Sequence, residues 1–156
     1  MNQFKLNLGA FAQGTLGLKP INIAFVFQVN CPGCFIYGIP TMNQLYQKFK
    51  ETISFIGVST AFEDFEYNTL ANTKRLLNEG ITVGETNKYL LGQGLATYEQ
   101  LPKFPIAFDK MSSPEDFLKE ENLTSLANTL AGARTLPPTE QIMLQQNIKQ
   151  HYKKYP

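Results

Sequence analysis

The sequence predicts an α/β fold with parallel core strands, on three observations. Apolar, β-branched runs of strand length occur at residues 21–29, 52–59 and 104–108. The residues after the first run carry apolar side chains at helical spacing, with Phe35, Ile36, Ile39, Met42, Leu45, Tyr46 and Phe49 at three- and four-residue steps. A connection of about 15 residues between the first two runs fits a helical crossover, and a crossover of that kind joins parallel strands.

Each element follows from its local chemistry. Residues 2–18 alternate weakly around Phe4, Leu6 and Leu8 with Gly9, Gly14 and Gly17 between, which predicts a short edge strand or hairpin. Ile21, Ile23, Ala24, Phe25, Val26, Phe27 and Val29 read as a strand buried on both faces. A helix is expected to begin at Cys31 and Cys34, with Pro32 in its first turn, where a missing N–H costs nothing. The second strand, TISFIGVS at 52–59, comes next.

From Ala61 the apolar positions Phe62, Phe65, Leu70, Leu76 and Leu77 predict a helix that Gly80 stops, with Glu63, Asp64 and Glu66 in its first turn. Residues 82–101 read as a loop-rich excursion, with a short helix around Tyr89, Leu90 and Leu91 and a helical turn from Ala96 to Leu101. FPIAF at 104–108 is the third strand, and Asp109 ends it. Ser113, Pro114 and Asp116 predict a capped helix start before Phe117 and Leu118. A helical piece over 124–130 follows. Pro137 and Pro138 separate it from a last helix over 139–155 striped by Leu144, Ile148, Tyr152 and Tyr155.

Composition excludes several classes of function. The 156 residues are 43% hydrophobic and 17% charged, which suits one globular domain over 1–156, with 61–101 as a helical insertion and 113–156 as C-terminal helices. Fourteen Lys and Arg balance 13 Asp and Glu, so no electrostatic case exists for nucleic acid or anionic membrane. No apolar run reaches 18 residues, so no transmembrane helix is expected. The compartment stays open: cytoplasmic if the chain is complete at its N-terminus, periplasmic or exported if a leader was removed.

The chemistry concentrates at Cys31-Pro32-Gly33-Cys34. A thiol at a helix start meets unpaired backbone N–H groups and the positive end of the helix dipole, which favour an anionic sulfur. Cys31 is expected as the exposed, attacking sulfur. Cys34, one turn further in, is placed to close a disulfide ring by attacking a mixed disulfide at Cys31. Spacing alone is a weak motif, and metal capture by the pair, or a purely structural role, are its alternatives.

Strand, CPGC turn, and a helix containing Pro40 together resemble the thioredoxin-like superfamily. The further order of strand GVS, helical insertion and strand FPIAFD resembles the longer bacterial thiol-disulfide oxidoreductases of the TlpA type and their peroxiredoxin-like relatives, over residues 21–110. The resemblance implies a three-layer sandwich with a helical insertion after the second core strand. It also implies a cis-proline opposite the cysteines, for which Pro105 after Phe104 is the candidate substrate contact. The competing reading has the chain lacking the last β-hairpin, which leaves a sheet edge open to self-association or to cover by the C-terminal helices.

The chain departs from the family at three positions. Asn30 stands where an aromatic is usual, Phe25 where many relatives carry a buried acid, and Pro40 six residues after the second Cys instead of five. A peroxidase motif needs Thr at position 28, which is Gln.

His151 reads as a solvated helix residue, and Gly92-Gln93-Gly94 lacks the strand and Lys of a phosphate loop. The Phe and Tyr residues read as packing, and Glu63, Asp64, Glu120 and Glu121 as caps. The resemblance therefore implies disulfide exchange at Cys31 and Cys34 with a disulfide-containing protein or a small thiol, together with a reductant or oxidant partner. No cofactor and no metal is expected. A non-enzymatic interaction module using residues 61–101, or a thiol peroxidase, is the alternative.

Overall fold

The computed structural model describes residues 6–110, 118–130 and 132–154. The expected helix start at Ser113, Pro114, Asp116 and Phe117 lies outside them. The chain divides into two compact units, Met1–Met111 and Ser112–Pro156.

The first unit is a mixed α/β structure. Its strands are β1 (Leu8–Gln13), β2 (Ile21–Phe27), β3 (Ile53–Ser59) and β4 (Ile106–Asp109), in the sheet order β1-β4-β3-β2. β2 runs parallel to β3 with Phe25 opposite Gly57, and β3 runs parallel to β4 with Gly57 opposite Ile106. β1 is antiparallel to β4, and so forms an edge strand as its weak alternation predicted.

After β2 the chain turns helical at Pro32, passes through a π-turn at Cys34–Gly38, and continues as α1 (Ile39–Phe49). Pro40 has no N–H for a regular helical bond. The preceding Ile39 N–H reaches back five residues to the Cys34 carbonyl, widening the turn. The wide turn lies close against the sheet, since a Cβ on Gly38 would meet the Phe25 ring at 2.5 Å.

Three expectations are corrected. β2 is not buried on both faces: Ile21 and Val26 are exposed, because among the described residues β2 has β3 as its one sheet neighbour. β3, flanked on both sides, is the buried strand. The helix expected from Ala61 begins only at Leu70, where α2 (Leu70–Glu79) is capped by the Thr69 hydroxyl accepting from the Asn72 N–H. Asp64 takes a left-handed backbone at φ 49 inside residues 61–69, which breaks the helical run. Residues 96–101 are bends and irregular chain rather than a helical turn. The short helix before them is α3 (Gly84–Gly92).

Alternation sorts the strand residues by face. Phe27, Phe55, Phe104 and Ile106 join Ile39, Met42, Leu76 and Leu90 from the helices in the main core. Ile56, Val58 and Ala107 point to the other face. In this unit Leu6, Leu8 and Leu16 of the N-terminal segment cover them, so a chain segment stands where a third helical layer is expected. No strand follows Asp109 among the described residues.

The second unit pairs α4 (Glu120–Ala127) with α5 (Pro138–Lys154), joined through a short turn at Ala133–Thr135. Leu123, Ala127 and Ile148 form its core, with Leu118, Leu126 and Leu144 against them. No helix is long and apolar enough to cross a membrane among the described residues.

Candidate redox site

The cysteines sit where β2 ends and the helix begins, at the carboxyl end of the parallel strands, where open α/β sheets commonly hold ligands. The Cys31 carbonyl accepts from the Cys34 N–H at 3.0 Å, closing the Cys-Pro-Gly-Cys turn. That turn brings the two sulfurs to 2.6 Å from each other. Both are thiols and both are half-buried. Gly33 is exposed, and a Cβ there would meet nothing within 4 Å, so the turn presents an uncovered face.

Burial pushes the Cys34 thiol up to about 12, and its hydrogen bond with Cys31 adds to the rise against the smaller opposing effect of a backbone bond from Gln28. Cys34 therefore holds its proton through the neutral range. Phe25, where the resemblance implies a buried acid, stacks its ring on Phe27 and meets Phe104 edge-on.

Phe104 and Pro105 do not join the cysteines. The Phe104–Pro105 bond is trans. Phe104 is 0% exposed and packs on Phe25 and Tyr46. The Pro105 carbonyl accepts from Gly57 N–H, which fixes the pair beside the middle of β3 rather than at the strand ends that lead to Cys31. The structure places the pair expected as a substrate contact away from the cysteine turn, because β4 runs parallel to β3 on the side away from β2.

Other residues surround the turn: Asn30, a departure from the pattern the chain resembles, Glu63 and Asp64, which read as caps, and Asn68 and Glu85, to which the sequence alone gives no role. Asn30, immediately before Cys31, is a hub. Its N–H donates to Asn68 Oδ1 at 2.9 Å, its Nδ2 donates to Asp64 Oδ2 at 2.8 Å, and its Oδ1 accepts from the Glu85 N–H at 2.6 Å. Asn68 is buried and donates in turn to the Glu63 carbonyl at 2.8 Å. Gly84 has φ +51, and any Cβ there would collide with the Asn30 side-chain amide. The sequence signal for this cluster was an Asn in an apolar context, followed at a distance by Asp, Asn and Gly in loops.

An open cavity adjoins the same helix, lined by Phe35, Ile36, Pro40, Tyr89, Leu90 and Tyr98 among others. Tyr98 donates its hydroxyl to the Phe35 carbonyl at 2.8 Å and stacks edge-on against the Phe35 ring, holding the wall of residues 82–101 to the residue after Cys34. No group of three or more His, Cys, Asp or Glu stands close enough to hold a metal ion among the described residues.

No protein-family model matches the chain. No curated protein matches it either. Among solved structures, the chain is similar to one described as a thiol-disulfide isomerase from Corynebacterium glutamicum, with TM-score 0.49 and 21% identity. The match covers 70% of this chain and spans 62% of the length of that one.

Proposed function

We propose that this protein is a thiol-disulfide oxidoreductase that works through Cys31 and Cys34. The observation that carries the reading is the pair of sulfurs 2.6 Å apart across the first turn of a helix. Cys31 leads into that turn, and Cys34 keeps its proton because it is buried. The attacking role therefore falls to Cys31.

In the proposed reaction the Cys31 sulfur, as thiolate, attacks one sulfur of a substrate disulfide. A Cys31–substrate bond forms, and the substrate's other sulfur leaves as a thiolate that takes up a proton. Cys34 then loses its proton to solvent and attacks Cys31 Sγ. The Cys31–Cys34 disulfide forms and the second substrate thiolate is released. Two electrons have passed from the dithiol to the substrate, which leaves as two thiols. An external dithiol run through the same steps in reverse restores the protein.

Reduction of a small neutral disulfide, hydroxyethyl disulfide, by the pre-reduced protein tests this reading. The parent is expected to consume one disulfide per molecule. Cys31→Ser is expected to be inert, and Cys34→Ser to stop as a mixed disulfide of added mass. Parent-like reduction by Cys31→Ser would overturn the mechanism.

A further inference from the structure

We infer that residues 62–67 are the substrate-docking surface of the redox turn, built for disulfide-bearing polypeptide segments that are both basic and apolar; the inference rests on the oxidoreductase reading above. The segment reads Phe-Glu-Asp-Phe-Glu-Tyr, and every residue in it is exposed. Phe62 is 68% exposed, Phe65 45% and Tyr67 40%. A single exposed aromatic is ordinary on a folded surface, whereas three within six residues form a concentrated apolar patch of the kind that marks contact sites.

The patch is held in place beside the cysteines. Buried Ala61 and Asn68 anchor its two ends. Asn68 bridges it to the Asn30 N–H, Asp64 accepts from the Asn30 side chain, and Gln28 donates to the Glu63 carbonyl at 3.4 Å. All three ties run to the residues that lead directly into Cys31. The left-handed Asp64, whose carbonyl accepts from both the Tyr67 and Asn68 N–H groups, fixes the bend between the aromatic positions. A surface already ordered in this way loses little conformational freedom when a partner binds.

Charge selects the partner. Glu63, Asp64 and Glu66 lie between the rings, and the ion pair seen among the described residues, Lys88 with Glu85, uses none of them. Asp64 is occupied by Asn30, which leaves Glu63 and Glu66 to face an incoming chain. Aromatic faces beside unpaired carboxylates suit Arg or Lys, whose heads meet the carboxylates while their stems and charge lie over the rings. An acidic peptide would meet repulsion on the same surface.

Pre-reduced protein would be mixed with three probes: hydroxyethyl disulfide, a disulfide-linked peptide flanked by Arg and Leu, and the same peptide with Asp in place of Arg. The parent is expected to reduce the basic peptide at least about tenfold faster than the acidic one. Phe62→Ala with Phe65→Ala, and separately Glu63→Gln with Glu66→Gln, are each expected to lower the basic-peptide rate about tenfold and leave the hydroxyethyl disulfide rate unchanged. The unchanged small-disulfide rate also reports that the variants are folded. Equal parent rates on the two peptides, or variants that keep the parent rate on the basic one, overturn the docking assignment alone. No reduction of any of the three probes by the parent overturns the oxidoreductase reading, and this inference falls with it.

Discussion

In the proposed exchange, Cys34 carries a proton that must be removed before it can attack. Its thiol is pushed up to about 12, first by burial and then by the Cys31 sulfur, and Phe25 offers no carboxylate to accept that proton. Resolution of the mixed disulfide is therefore expected to speed up about tenfold for each pH unit across the neutral and mildly alkaline range, as the Cys34 thiolate fraction grows. Stopped-flow measurement of the second thiol released would show this; a rate independent of pH would contradict it.

The same burial sets a stability trend. Cys34 rises from 9.0 to about 12 on folding, and burial raises Tyr98 from 10.0 to about 12. Each group binds its proton more tightly when folded, so the unfolded chain releases protons first and stability falls as pH rises. Below the unfolded values both contributions are fully present. The reduced protein is thus expected to lose stability from about pH 9. The disulfide form, which has no Cys34 proton to lose, follows only from about pH 10 through Tyr98. Urea midpoints of the two forms across that window check the offset, and a common onset would refute it.

The helix that carries the cysteines depends on a close approach rather than on propensity. Pro40 removes a helical donor, and the π-turn answers it by sending the Ile39 N–H to the Cys34 carbonyl. Gly38 then lets this widened turn sit against β2, where a methyl group would come to 2.5 Å of Phe25 Cζ and 2.9 Å of Cε2. Gly38→Ala is expected to cost about 1–3 kcal/mol in urea denaturation, because the Phe25 ring must leave its stack on Phe27. Combining it with Phe25→Leu should recover part of that loss, and additive costs would mean the contact is not the cause. Gly84→Ala acts on the neighbouring element. It strains a left-handed backbone and drives a methyl group into the Asn30 amide, at about 1–2 kcal/mol from the backbone conformation alone.

Across the molecule, the described buried apolar residues fall into three sets that share no member. One comprises Phe27, Phe35, Leu76, Phe104 and their neighbours, a second Ile56, Val58 and Ala107, and the third Leu123, Ala127 and Ile148. Leu76 is fully buried against the residues that support the cysteine turn. Leu76→Ala is expected to cost about 2–5 kcal/mol and to make Cys34 easier to alkylate. Urea midpoints and the rate of Cys34 alkylation check both effects, and an alkylation rate equal to the parent's would show that Leu76 does not support the thiol.

Much of this architecture was legible in local pattern. The strand runs expected at 21–29, 52–59 and 104–108, which fold as 21–27, 53–59 and 106–109, the parallel pairing of the first two, and the helix starting at the cysteines follow from side-chain period, connection length and turn chemistry, which are properties of short stretches of chain. The Cys31–Cys34 contact belongs to the same class, since one helical turn fixes it. The position of β2 at the sheet edge, the trans peptide before Pro105 and the burial of Phe104 are different in kind. They depend on which strand lies beside which, and an apolar run looks alike whether one neighbour or two cover it. The exposure of Phe62 and Phe65 was hidden for a related reason: they stand three residues apart, as neighbours on a helix do, and only the left-handed Asp64 and bonds from the distant Gln28 and Asn30 hold the segment as a loop.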